Sequence, residues 1–281
     1  MIARFGPALA LAVAAGLPLA VLADPLSVFQ PQQVRAVSVT AADVKALRAL
    51  PPLDAFGTVR GTRSPAVEDV GSAAEAAHEA GYALRVPATV PAALATDVHY
   101  RVTGRVRTTF TFSGAKARAW ARSRKVAFTP VPGGLDGAVY TATLRPIALI
   151  EYGAMPRPDE SRRRQRTRSF LTVMQAPLPS VSANGAPVAT LARWFSEQPG
   201  IPPHLAAEVR AIGDPTQTLP IPVRFDKQTA ASVDVDGVKG LAIGDETGIG
   251  SAVVWTKDGK LYAVGGALAQ SELLAVANAL K

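Results

Sequence analysis

Asp236-Gly237 and Asp258-Gly259 each interrupt a pair of apolar runs, and no other feature restricts the fold as tightly. A two-residue turn between antiparallel strands needs positive φ at both centres, which Asp and Gly accept at low cost. The spacing predicts two successive hairpins, Ser232 to Val235 with Val238 to Ile243, and Ser251 to Lys257 with Lys260 to Val264. Glu272 to Leu280 closes the chain with Leu273, Leu274, Val276, Ala277 and Leu280 on one helical face, which needs a sheet to cover it. No fixed-period repeat is present, which argues against a solenoid or propeller.

The opposite end fixes an expected compartment. Arg4 precedes an uncharged apolar run of 18 residues, Gly6 to Ala23, ending in Ala20-Val21-Leu22-Ala23 before Asp24. Short side chains at Val21 and Ala23 suit a signal-peptidase site, and Gly16 and Pro18 weaken a helix near it. The run also approaches the length of a membrane-spanning helix, so a retained anchor with Arg4 inside and the remainder outside is the second expectation. Either route exports the chain, leaving it secreted or tethered to the cytoplasmic membrane.

Between these ends, strands alternate with short helices. Thr40-Ala41-Ala42-Asp43 reads as the cap of a helix carrying Val44, Leu47 and Leu50 and stopped by Pro51-Pro52. Ser72-Ala73-Ala74-Glu75 is a second capping box, with Gly81 placed to end its helix. Alternation from Tyr100 to Phe112 predicts one strand with a wet face. Ser113 is expected to cap an alanine-rich helix through about Arg124, and Ala138 to Tyr152 and Ser169 to Gln175 read as strands. Ala176 to Pro187 looks hinge-like, and helices follow around Leu191 to Gln198 and Pro203 to Ala211. The organisation expected is a signal or anchor over 1–23, a first α+β part over 24–175 and a second part over 176–281.

Val233-Asp-Val235-Asp-Gly237, Val253-Val254-Trp255, Tyr262-Ala-Val264-Gly265 and Leu273-Leu274-Ala-Val276 resemble a domain of unknown function at the extracytoplasmic ends of bacterial anti-sigma factors and related exported proteins. Gly81-Tyr82-Ala-Leu84-Arg-Val86-Pro87, with Pro91, is similar to the opening of such domains. The likeness covers about half of the mature chain. It implies an α+β fold, a curved antiparallel β-sheet wrapped over α-helices, akin to lipoprotein carriers. An anti-sigma factor also has a cytoplasmic helical domain, which the five residues before the apolar run cannot form, so a separate membrane regulatory partner would have to supply it.

The net charge of +8 is unevenly placed. Residues 100–175 hold 15 basic and 4 acidic side chains, while the flanking segments are close to neutral. Parity puts Arg101, Arg105 and Arg107 on the wet face of the predicted strand, and the next helix adds Lys116, Arg118, Arg122, Arg124 and Lys125. A following loop carries Arg162, Arg163, Arg164, Arg166 and Arg168. Such a segment attracts an anionic membrane surface, a phosphate-bearing cell-wall polymer or an acidic protein. A plain solvated face is the competing reading. Nucleic acid is disfavoured, because no aromatic ladder interleaves the arginines.

Signals for covalent chemistry are weak. Zero cysteines exclude disulfides, thiolate metal sites and a cysteine nucleophile. His78, His99 and His204 lie far apart in sequence; His78 pairs with helical glutamates in this reading, and His204 faces solvent. No cofactor is expected. Ser113 and Lys116 fit the Ser-x-x-Lys pattern of penicillin-binding enzymes, with Ser182-Ala-Asn184 as a second element, but Lys-Thr-Gly is missing and Ser113 has a capping task. Gly244 to Gly250, with Asp245 and Glu246, reads as a hairpin loop rather than a phosphate cradle or a calcium site. Trp120, Trp194 and Trp255 are expected in cores. The leading expectation is a non-enzymatic, exported binding or regulatory module; a lipid or lipoprotein carrier is second, and a serine hydrolase is remote.

Overall fold

The computed structural model describes residues 33–49, 51–61, 65–154, 169–210, 218–224, 228–245 and 250–281. The expected signal or anchor helix, the arginines at 162–168 and most of the Gly244 to Gly250 loop lie outside the described residues. Within them the chain is sheet-rich with a few helices, an α+β fold. No described helix is long and apolar enough to cross a membrane.

Both Asp-Gly turns form hairpins. β11 (Gln228–Val235) pairs with β12 (Val238–Asp245), and β13 (Gly250–Lys257) with β14 (Lys260–Ala267). Asp236 and Gly237 have φ of 52° and 75°, and Asp258 and Gly259 have 49° and 70°, so both centres of each turn are left-handed as the tight turn requires. α6 (Gln270–Asn278) buries Leu273, Val276 and Ala277 with Trp255, Tyr262 and Val264 from the hairpins.

Upstream, four strand pairs run from one sheet into another. β2 (Gly57–Gly61), β5 (Val106–Phe112), β6 (Val139–Leu144) and β9 (Ser180–Asn184) form a four-stranded antiparallel sheet in that order. β3 (Val67–Val70), β4 (Val98–Thr103), β7 (Ala148–Gly153) and β8 (Phe170–Pro177) occupy the matching order at one end of an eight-stranded antiparallel sheet, completed by β14, β13, β12 and β11. The expected single strands over Tyr100 to Phe112 and Ala138 to Tyr152 are therefore each broken. The breaks fall at Gly104-Arg105 and Arg145-Pro146-Ile147, where a glycine and a proline interrupt the ladder. Strands that switch sheets need such corners. The expected hinge over Ala176 to Pro187 is another: β8 ends at Pro177, Leu178-Pro179 turns, and β9 begins at Ser180. The eight-stranded sheet thus draws strands from both sides of residue 175.

Each sheet has its own core. On one face of the large sheet, α6, Leu94 and the strap Tyr82 to Pro87 cover Ile150, Val173 and Trp255. On the other face lies a parallel ribbon of β1 (Gln33–Ser38) and β10 (Thr218–Val223), whose Leu219, Ile221 and Val223 pack on Leu149, Met174 and Val254. Val223 accepts a hydrogen bond from Val39 N–H at 2.9 Å, so Pro220 and Pro222 face away from β1. Lacking N–H groups, they make that edge a poor template for a further strand. In the small sheet, Phe110, Phe112 and Tyr140 meet Trp194 from α4 (Val188–Ser196) and Ala117 from α3 (Gly114–Arg124).

The predicted capping box at Thr40 forms, whereas at Ser72 the cap forms but Glu75 Oε2 accepts from Gly71 N–H at 2.8 Å and not from Ser72 N–H. In α1 (Ala41–Ala49), Thr40 Oγ1 accepts from Asp43 N–H at 3.1 Å, and Asp43 Oδ2 accepts from Thr40 N–H at 2.7 Å. In α2 (Ala73–Ala80), Ser72 Oγ accepts from Glu75 N–H, and Gly81 ends the helix at φ 74°. His78 is exposed on α2. His204 is exposed, as expected, and it also bonds through Nε2 to buried Asp43 Oδ2 at 2.8 Å, pinning α5 (Pro203–Arg210) to α1.

The strap is tied down by polar contacts. The Tyr82 hydroxyl donates to Gln175 O at 2.6 Å and accepts from Ala148 N–H at 3.1 Å; burial pushes its pKa up to about 12. The fully buried Gln175 side chain acts as a strand partner, accepting from Arg85 N–H at 2.9 Å and donating to Arg85 O. The Arg85 guanidinium grips both Asp236 carboxylate oxygens, donates to Leu280 O at 2.6 Å and lies over the Tyr262 ring. Lys257 Nζ also meets Asp236 Oδ1, at 3.0 Å. Arg85, foremost, and Lys257 hold the Asp236 carboxyl below its usual range.

Asn accepts the φ of Asp236 as readily as Asp, so Asp236→Asn removes the charge while keeping the turn. It should destabilise the fold by about 2 kcal/mol, between exposed and buried ion pairs. Because the folded pKa of Asp236 is lowered, its contribution is present above the unfolded value and fades as pH falls through the folded one. Urea melts of Asp236→Asn should therefore show a smaller loss of stability on acidification than wild type. Asp258→Asn, at the sister turn, should cost less than about 0.5 kcal/mol. Equal effects of the two substitutions would refute the assigned role of the Arg85 grip.

Candidate anion-binding faces

The basic segment is split by the corner at Gly104. In β4 and β5 the even-numbered side chains face cores, as parity predicts, but the two odd faces belong to different sheets. Arg101 sits on the large sheet between exposed Asp69 and buried Glu151, and its own side chain is 14% exposed. Its Nε donates to Asp69 Oδ1 at 2.9 Å, and Nη1 lies 3.6 Å from Glu151 Oε1. Arg101 is thus neutralised and does not share a wet face with Arg105 and Arg107. Arg105 is exposed at the corner, and Arg107 is exposed on β5.

Glu151 is a buried carboxylate that sequence reading missed, because β7 reads as a continuous apolar run around it. It stands opposite His99 and Thr172 in the sheet register. Burial raises its pKa, against the pull of Arg101 and His99. His99 Nε2 bonds to Asp97 Oδ1 at 2.9 Å at the exposed end of β4. The arrangement compensates charge; among the described residues no group of three or more His, Asp or Glu is placed to hold a metal ion.

Lys116 has a structural task as well. Its Nζ donates to Gly57 O at 2.6 Å and to Asp54 O at 3.4 Å, fastening α3 to the 3-10 turn Leu53–Ala55 and to β2. Ser113 Oγ accepts from Lys116 N–H at 3.3 Å, the predicted cap, and Asp136 Oδ1 accepts from Gly114 N–H at 2.7 Å. An ammonium bonded to carbonyls is not placed to take a serine proton. Ser182 and Asn184 lie on the opposite face of the small sheet from α3, so the Ser-x-x-Lys elements do not converge.

Two cationic surfaces remain among the described residues. On α3, Ala117 and Ala121 are buried, which turns Arg118, Arg122, Arg124 and Lys125 outward. Arg118, Arg122 and Lys125 follow at i, i+4 and i+7, one stripe of the helix. Arg118 leans over the Phe128 ring at 5.8 Å; none of the four cations has an ion pair among the described residues, and α3 contains no acid. The second surface is the open face of the small sheet. One cross-strand row is Arg60, Thr109, Thr141 and Ser182; Arg107, Thr143 and Ser180 form the next. Thr58, Thr111, Val139 and Asn184 complete the face. Arg60, absent from the sequence-based candidates, joins only because β2 pairs with β5.

Arg101→Met should lower stability by about 3 kcal/mol, since it leaves Glu151 buried without its cation. The raised pKa of Glu151 means that stability falls as pH climbs from its unfolded value through the folded one, and the fall should steepen in the variant. Glu151→Gln should flatten that part of the pH profile and restore stability to Arg101→Met above it. A pH-independent loss in Arg101→Met would contradict the pairing.

Compared with known protein families, with curated proteins and with solved structures, the chain matches none of them.

Proposed function

We propose that the chain is an exported, non-enzymatic envelope protein, a binding or regulatory module of the anti-sigma sensor type, which docks an anionic membrane surface through α3. The observation that carries this reading is the unpaired stripe Arg118, Arg122 and Lys125, with Arg124 beside it. Like charges one helical turn apart cost a few tenths of a kcal/mol per pair, or about 0.3. An opposing anionic surface removes that cost and adds roughly 1 kcal/mol per basic side chain near it. The apolar run Gly6 to Ala23 supports export, and the hairpins with the terminal helix support the resemblance.

The test is co-sedimentation of the exported chain with vesicles of mixed neutral and anionic phospholipid. Binding should fall steeply with salt, and Arg118→Gln/Arg122→Gln/Lys125→Gln should weaken it by about tenfold or more, since three near-surface charges are removed. Because these side chains are exposed, the melting temperature should not drop. No wild-type binding, or unchanged binding by the variant, would reject the reading; native lipid extracted in stoichiometric amount would favour the carrier instead.

A further inference from the structure

The open face of the four-stranded sheet combines arginines with a set of hydroxyls. Its four strands contain no Asp or Glu at all. Thr109 and Thr141 hydroxyls approach each other at 3.4 Å, while those of Thr143 and Ser182 have no protein partner among the described residues. Arg60 and Arg107 lie diagonally across β2 and β5, flanking the Gly61–Thr108 pair, both exposed and neither with an ion pair among the described residues. Diagonal positions on adjacent strands are about 7–8 Å apart, close enough for two guanidinium groups to serve one strand of anions.

We propose that this face binds a linear phosphodiester polymer built from sugar or polyol phosphate units. Guanidinium groups match phosphate oxygens two at a time, and hydroxyls serve both phosphate and polyol oxygens because they donate and accept. The two arginines take the phosphates, and Thr109, Thr141, Thr143 and Ser182 take the backbone between them. A nucleic acid strand fits less well: single strands are held by stacking on aromatic rings, and this face has none. A bilayer fits less well too, since Val139 is the sole apolar side chain presented and hydroxyls gain nothing from acyl chains. The site lies on the opposite side of the sheet from α3, so it stands independently of membrane docking.

The experiment is calorimetric titration of the exported chain with synthetic poly(glycerol phosphate), with single-stranded DNA and anionic vesicles as comparators. Wild type should bind the polymer and retain measurable binding at physiological salt. Arg60→Gln/Arg107→Gln should weaken it by about tenfold or more, on the scale of two lost charge-assisted contacts. Thr141→Val, which keeps the β-branched shape, should weaken it severalfold, a loss that charge alone does not predict. Arg118→Gln/Arg122→Gln/Lys125→Gln should leave it unchanged. No binding by wild type, an unchanged Arg60→Gln/Arg107→Gln variant, or DNA bound as tightly through the same arginines would overturn the proposal. Vesicle binding lost in Arg60→Gln/Arg107→Gln but kept in the α3 variant would overturn it as well, by assigning the face to lipid.

Discussion

Four neighbouring strands have to leave one sheet and enter another side by side, and a hydrogen-bonded ladder cannot bend that sharply without losing rungs. Every interrupted rung leaves backbone groups that need another partner. At the β4–β5 corner Gly104 N–H donates to Ala66 O, Thr103 N–H donates to Ile147 O, and Thr103 Oγ1 accepts from Ile147 N–H. At the β6–β7 and β8–β9 corners Pro146 and Pro179 have no N–H to satisfy, and Leu178 N–H finds Gly259 O. The corners are therefore accommodated by residue choice, and they let one set of strands serve two cores.

The same bend decides what the charges can do. On the large-sheet side of the corner the Arg101 side chain is largely buried, and a buried cation must be paired. Arg101 meets Asp69 and Glu151 for that reason. Past the corner, the small sheet buries one face only, and Arg107 stays exposed with no ion pair among the described residues. Identical residue types in one period-two run thus acquire opposite roles.

What the sequence made legible follows from how local each signal is. Both Asp-Gly turns, the Thr40 capping box, the Ser72 and Ser113 caps and the face of the terminal helix depend on residues a few positions apart, and the structure has them. The corners were hidden because alternation keeps its parity across Gly104: Val102 and Val106 both face cores, as in one unbroken strand. Asp43 with His204 and Arg60 with Arg107 come together only through long-range packing, which spacing cannot show. Glu151 was missed because one acid in an apolar strand gives no sign of its partner until β4 is laid beside β7.

Stability and binding chemistry are segregated between the two sheets. The large sheet has Arg85, Asp236, Lys257, Gln175 and Glu151 tied into satisfied contacts, so altering them changes stability. Its partnered charges leave little free potential with which to attract a ligand. The small sheet and α3 present cations that touch no acid among the described residues, on a unit whose core is a compact aromatic cluster of Phe56, Phe112, Trp194 and Phe195. Such a core tolerates polar changes on its outside, because none of the outward arginines contributes to it. A surface that can vary without unfolding the protein, carried on a rigid sheet that fixes the spacing of its arginines, has the physical properties required for recognising a repeating anion.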